Sequence, residues 1–392
     1  MARQRAKGAV ALLVVIALAD SCHDGTAPPI PVFVPVATMT VSPPGDTLGV
    51  GQRRSLVATP YDSAGHPLTG HAVTWTTSDM AKATVDGAGL VTALDTGLVQ
   101  IIATSESKSA TATFLVVPPC VAVSTIQTAH LSFLIAGGAL PDSFGTAGGG
   151  FFRTTGVMFG GGAVFGVSAS STELQYDPQF GYTTFSESLV CALPAPAGTT
   201  HTYAKVRVPQ GYEARLDARQ ESFTFAAAGY ENFVLLRYTF TNLGSTPVSG
   251  VVAGFVADWD LLFDQALTSD RVRYDPGQGA EEAVEADSVT YPQIAGVIPI
   301  VTRGAGTLAF KGWVNGADPA EGGGYYAALS GGVDTSTVGQ PGDVRGLAGV
   351  GGVTLNPAQQ LVIYFVVAVG DNRAAFDAAA ATAQAVVAAG IP

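Results

Sequence analysis

"NFVLLRYTFTN", residues 232–242, reads as a strand and says what kind of strand it is. Side chains alternate across a strand. Phe233, Leu235, Arg237 and Thr239 therefore share one face, and Val234, Leu236, Tyr238 and Phe240 the other. Both faces are apolar up to Arg237, so the strand is expected to be central and covered on both sides. The same rhythm recurs on either side of it, in "TYAKVRVP", "ARLDARQESFTFA", "GVVAGFVADWDL", "IAGVIPIVT", "GTLAFKGWVN" and "QQLVIYFVVAVG". The chain has 48 glycines and 23 prolines and is rich in Val and Thr, a mixture suited to short strands joined by tight turns. Residues 121–392 thus read as one large β-sandwich domain. Its tail departs from the pattern: "DNRAAFDAAAATAQAVVAAG" predicts a helix opened by Asp371 or Asn372 and ended by Gly390. Phe376, Ala379, Ala383, Val386 and Val387 give that helix one apolar stripe. "GTAGGGFFRTTGVMFGGGAVFG", 145–166, lacks the Gly-Lys-Ser/Thr ending of a phosphate loop and reads as a glycine-rich hairpin.

A chain of 392 residues is too long for one typical core, and residues 36–117 read as a separate domain. "ATMTVSP", "RRSLVATPYD", "AVTWTTSD", "ATVDGAGLVTAL", "LVQIIATS" and "SATATFLVVP" are strand-like runs spaced as in a sandwich. Trp75 is expected to plug the core between two sheets, and "VDGAGLV" is a hairpin signal with Gly87 and Gly89 free to take positive φ. The Val-Gly-Gln opening, the Asp62 to Gly65 turn, "VTWTTSD", "ATVDGAGLVTAL" and the "IIATS" strand resemble the group-two bacterial Ig-like domain. The resemblance implies a spacer or adhesion module of surface proteins and no catalytic residue. His66 and His71 are read as turn residues. A second resemblance rests on "YTFTN", "DWD" and "GDN". These are similar to an uncharacterised β-sandwich region of secreted bacterial proteins, and no chemistry comes with it.

The N-terminus, residues 1–22, has a basic start (Arg3, Arg5, Lys7) and an apolar run from Gly8 to Ala19. That run is shorter than the ~20 residues a membrane helix needs and reads as a secretion signal. Small residues precede Cys22, which resembles the lipobox of bacterial lipoproteins, and the implied role of Cys22 is to carry the lipid. Ala19 stands where leucine is usual, so plain cleavage and release is the alternative. Residues 23–35 are a Pro-rich tether. With Cys22 lipidated, Cys120 and Cys191 of the three cysteines are left to pair in an oxidising compartment. The expected location is the cell envelope or outer surface, with the membrane as partner through the lipid.

The net charge of −12 argues against nucleic acid and makes cations the natural small partners. None of the five histidines sits in a zincin helix, and there is no Gly-x-Ser-x-Gly elbow. A Ser-His-Asp triad would have to recruit His130 or His201. In "VADWDLLFDQALTSD", 256–270, Asp258 and Asp260 are expected on one face with Trp259 in the core. Calcium is the candidate ion for them, with help from Asp264 or Asp270, against the alternative of a solvated acidic turn. "EEAVEAD", 281–287, is expected to be a solvated loop face. Trp313, Tyr325 and Tyr326 could form a carbohydrate platform, although alternation favours a core place for Trp313. Taken together, the sequence predicts an all-β protein: an N-terminal Ig-like β-sandwich, then a larger β-sandwich domain with a C-terminal helix. The expected function is a non-catalytic cell-surface lipoprotein, a spacer carrying a domain that binds a surface glycan or protein. The alternative is a secreted carboxylate-dependent hydrolase or carbohydrate-binding protein.

Overall fold

The computed structural model describes residues 34–121, 124–135, 139–140, 150–153, 155–174, 189–261, 270–285, 292–315, 317, 319 and 322–391. The signal segment and Cys22 lie outside them, as does Asp264. Among the described residues no helix is long and apolar enough to cross a membrane.

The Ig-like part is built from three small sheets around one core. Gly45–Gly49, Lys108–Val117, Gly97–Ser105 and Thr74–Thr77 form the four-stranded sheet; Arg53–Ser55, Leu90–Ala93 and Ala83–Val85 form the three-stranded one. Phe114, Ile101, Val91 and Leu56 fill the space between them. The hairpin at "VDGAGLV" forms, with Gly89 at φ +83° and the Asp86 carboxylate accepting from the Ala88 and Leu90 amides. Trp75 differs from expectation. It is half-buried on an edge strand and lies over Gly89, where a Cβ would meet its ring at 2.9 Å, so it flanks the core rather than plugging it.

The larger domain is two large sheets face to face. One runs Val190–Ala192, Thr199–Lys205, Leu216–Phe225, Phe233–Asn242, Gln360–Gly370, Ile294–Arg303, Ala280–Glu285, Asp270–Asp275, Pro341–Gly342. The other is centred on Thr155–Ser168, Val248–Trp259, Val344–Leu355 and Thr307–Val314. Phe233–Asn242 is central, as its two apolar faces require. Val234, Leu236, Tyr238 and Phe240 point into the inter-sheet core, where they meet Phe165, Phe255 and Phe365. The glycine-rich segment contributes the antiparallel pair Gly150–Phe152 and Thr155–Ser168.

Each sheet carries a helix on its outer face. The C-terminal helix α2 (Arg373–Ala389) has Asn372 as N-cap, accepting from the Ala375 amide, and Gly390 after its end. Its stripe of Phe376, Ala379, Ala383 and Val387 lies on Phe233, Leu235, Val366 and Ala368. The second helix, α1 (Gly322–Gly331), was not among the expected elements. It opens Gly-Gly-Gly, the composition of a turn, and is held by packing rather than propensity. Tyr325 and Leu329 of α1 seat against Val252, Val256 and Trp313. Glycines beneath make the room: a Cβ at Gly351 would sit 2.2 Å from the Leu329 carbonyl.

The acidic run 281–287 is a second departure. Ala280–Glu285 is a buried strand, not a solvated loop. Alternation sends Glu281 and Glu282 to opposite faces, each with its own partner. Glu281 points into the core and accepts from Trp259 Nε1 at 2.6 Å, and Gly346 opposite leaves space for its carboxylate. Burial raises the Glu281 pKa well above the usual range, against the pull of the Trp259 hydrogen bond. Glu282 faces outward and takes a two-pronged ion pair from Arg373 of α2, at 2.7 and 2.6 Å.

Candidate functional site: a charged cleft between the two parts

One outer face of the nine-stranded sheet changes character along its strands. Leu216–Phe225 presents Asp217, Arg219 and Glu221, then Phe223. Phe233–Asn242 presents Phe233 and Leu235, then Arg237, Thr239 and Thr241. Gln360–Gly370 presents Gln360, Val362 and Tyr364, then Val366 and Ala368. Antiparallel register brings the apolar halves together under α2 and the polar halves together beside them. The polar half is the floor of a cleft of about 650 Å³. Its far wall comes from the Ig-like part, through Pro43, Pro44, Asp46 and Arg54.

Directly paired residues make two rows across the floor. Lys205, Arg219, Thr239, Val362 and Arg303 form the first. Tyr203, Glu221, Arg237 and Tyr364 form the second. Every acid here has cationic company. Asp217 takes Arg219 Nε at 2.6 Å, and Glu221 takes Arg237 Nε at 2.9 Å and His201 Nε2 at 2.9 Å. Burial works to raise the Asp217 carboxyl, but the charges of Arg219 and Lys205 outweigh it and hold its pKa below the ordinary value. Burial likewise opposes the ionised Glu221, and the His201 and Arg237 hydrogen bonds win.

Asp46 joins the two parts. Its buried carboxylate meets Lys205 Nζ at 2.9 Å and accepts from Tyr203 Oη at 3.3 Å, with Arg54 of the three-stranded sheet at 3.3 Å. Beside it the expected Cys120–Cys191 disulfide is formed, with Val117, Tyr203 and Leu193 packed around it. The two cysteines are 71 residues apart, a loop whose closure contributes about 4 kcal/mol in the chain-entropy model.

The other sequence candidates lie elsewhere. Asp258 ends a strand opposite Arg345, its register partner, and pairs with Arg345 Nε at 3.0 Å; the cation beside it is the chain's own. Trp259 is in the core, as expected. Asp270 sits opposite Glu285 and accepts from the Leu261 amide at 3.1 Å. Burial first, then the charges of Glu285 and Asp260, push the Asp270 carboxyl up to about 8. Among the described residues no three His, Cys, Asp or Glu side chains converge to hold a metal. Trp313 and Tyr325 are buried against each other under α1, and the Tyr326 hydroxyl donates to the Gly250 carbonyl, so these rings offer no platform. His66 pairs with Asp62 and His71 with Glu106. His130 bonds Asn232 and His201 bonds Glu221; among the described residues neither ring is bonded to a serine.

The cleft itself went unseen in sequence. Its signal is present: Arg237 marks where "FVLLRYTFTN" turns polar, and "DARQESF" turns the opposite way. Only the register shows that these switches line up.

Residues 35–114 match the bacterial Ig-like domain (group 2). No curated protein matches the chain. Among solved structures, domains 4 and 5 of the S-layer protein SbsC are 24% identical over 21% of this chain and 51% of that chain, with a TM-score of 0.19. This chain thus spans about half the length of that structure. A bacterial glucoamylase complexed with acarbose is 8% identical over 65% of this chain and 32% of that one, TM-score 0.42. The Yersinia pseudotuberculosis adhesin InvE is 14% identical over 57% and 55%, TM-score 0.16.

Proposed function

We propose that this chain is a non-catalytic binding protein of the bacterial cell surface, anchored by lipid on Cys22, with the interdomain cleft as its ligand site. The observation that carries the reading is the cleft's joint construction. Asp46 and Arg54 of the Ig-like part and the Lys205–Arg303 row of the sandwich wall one space, so the Ig-like part is a wall of the site as well as a spacer. A surface or extracellular setting is supported by the Ig-like match and by the disulfide, which needs an oxidising compartment. Binding is favoured over hydrolysis by the state of the acids. A general acid needs a raised pKa, whereas Asp217 and Glu221 are both lowered by arginine, lysine and histidine neighbours.

Two measurements test this. Cys22→Ala should move the protein from the membrane fraction to the medium; unchanged fractionation would refute the anchor. Thr239→Trp should fill the cleft. A panel of soluble ligands screened by thermal shift should include one that stabilises the wild type and not this variant. A ligand that is consumed by the protein would overturn the non-catalytic reading.

A further inference from the structure

We infer that the cleft takes an acidic oligosaccharide, a chain of sugars bearing carboxylates, laid across the strands along the Lys205–Arg303 row; this rests on reading the cleft as the binding site. The first ground is charge. Five cations, Arg54, Lys205, Arg219, Arg237 and Arg303, line the cleft against three carboxylates, Asp46, Asp217 and Glu221. The excess is positive within a chain of net charge −12. The carboxylates are already engaged by Lys205, Arg219, Arg237 and Arg54. Arg303, at the far end of the row, is exposed and donates to the Gln360 amide oxygen at 2.7 Å, a neutral partner that leaves its charge for an incoming anion.

The second ground is spacing and polarity. From Lys205 to Arg303 the row crosses five strands, about 19 Å at the usual interstrand distance. Along and beside it lie neutral donors and acceptors: Thr239 within the row, Thr241 and Gln360 in the neighbouring one, and Thr302 next to Arg303. That mixture of neutral and cationic groups suits a ligand with hydroxyls along its length and anionic groups at intervals. Guanidinium groups recognise carboxylates in two-pronged fashion.

The third ground separates this ligand from a peptide. Phe233–Asn242 and Gln360–Gly370 are interior strands, each paired on both sides, so the floor has no open edge for an added strand. Nucleic acid, charged at every phosphate, is disfavoured by the chain's net charge of −12. A short oligosaccharide stays within the cleft.

The test is calorimetric titration of the full chain with tetragalacturonate, and with maltotetraose as the neutral probe. Tetragalacturonate should bind and maltotetraose should not, with affinity falling as salt is raised. Arg303→Gln should weaken tetragalacturonate at least tenfold. Lys108→Gln, an exposed residue of the Ig-like part outside the cleft lining, should leave it unchanged. Melting temperatures should show that each variant folds. Equal binding of both probes, lost in Thr239→Trp, would overturn the acidic ligand and keep the cleft as the site. Tetragalacturonate binding indifferent to both Arg303→Gln and Thr239→Trp would overturn the cleft as well. No binding of tetragalacturonate to the wild type would overturn the inference alone.

Discussion

The two halves of one sheet face were given opposite fates. Phe223, Phe233, Leu235, Val366 and Ala368 lie under α2, and a few residues further along the same strands Glu221, Arg237, Thr239 and Val362 line an open cleft. Backbone geometry and strand order are shared, so the side chains alone make the difference. The covered half stabilises by removing apolar surface from water. The open half holds charges that must be matched to one another to be tolerated at half burial. A sheet face can thus be structural and functional at once, provided the switch falls at the same register on every strand.

The comparison is broken most severely from the covered side. Phe376→Ala empties a fully buried ring from beneath α2 and should destabilise the larger domain by about 3–5 kcal/mol, read from urea unfolding. Arg373→Ala removes the cation from Glu282, whose side chain is 1% exposed, and should cost about 2 kcal/mol in the same assay. The value is reduced because Arg373 itself stands partly in solvent. Acidification separates the halves in a different way. Asp217 and Glu221 have pKa values depressed in the folded state, so their contribution is present above the unfolded value of about 4 and is lost as pH falls through the folded one. The melting temperature should therefore drop below pH 4, and Asp217→Asn should flatten that drop while Phe376→Ala leaves it. The smallest effect is expected in the open half. Thr239→Ala should change stability by no more than about 0.5 kcal/mol, since the hydroxyl faces a cleft rather than a core.

Much of this architecture was readable from residue order. Alternation at 233–240 placed a central strand, the cysteine arithmetic placed the Cys120–Cys191 bond, and the apolar stripe after Asn372 placed α2. The failures share a cause. Glu281 and Glu282 read as solvent-facing because charge usually is; their partners, Trp259 and Arg373, are distant in sequence and meet them only in the folded sheet. The helix at Gly322–Gly331 went unread because its glycines favour a turn, and packing overrode that preference. The cleft was hidden for the same reason as Glu281: Asp46 and Lys205 belong to different parts of the chain, and no local pattern joins them.

The Cys120–Cys191 bond also decides how tension would travel. Cys120 closely follows Lys108–Val117, the strand that pairs in parallel with Gly45–Gly49, and Cys191 belongs to the strand beside Thr199–Lys205, which carries Lys205 at the cleft. A pull between the N-terminal end of the Ig-like part and a ligand held in the cleft would cross from one part to the other through this covalent bond. The segment between the two cysteines would be bypassed. The strands it contributes to the opposite sheet lie off that path.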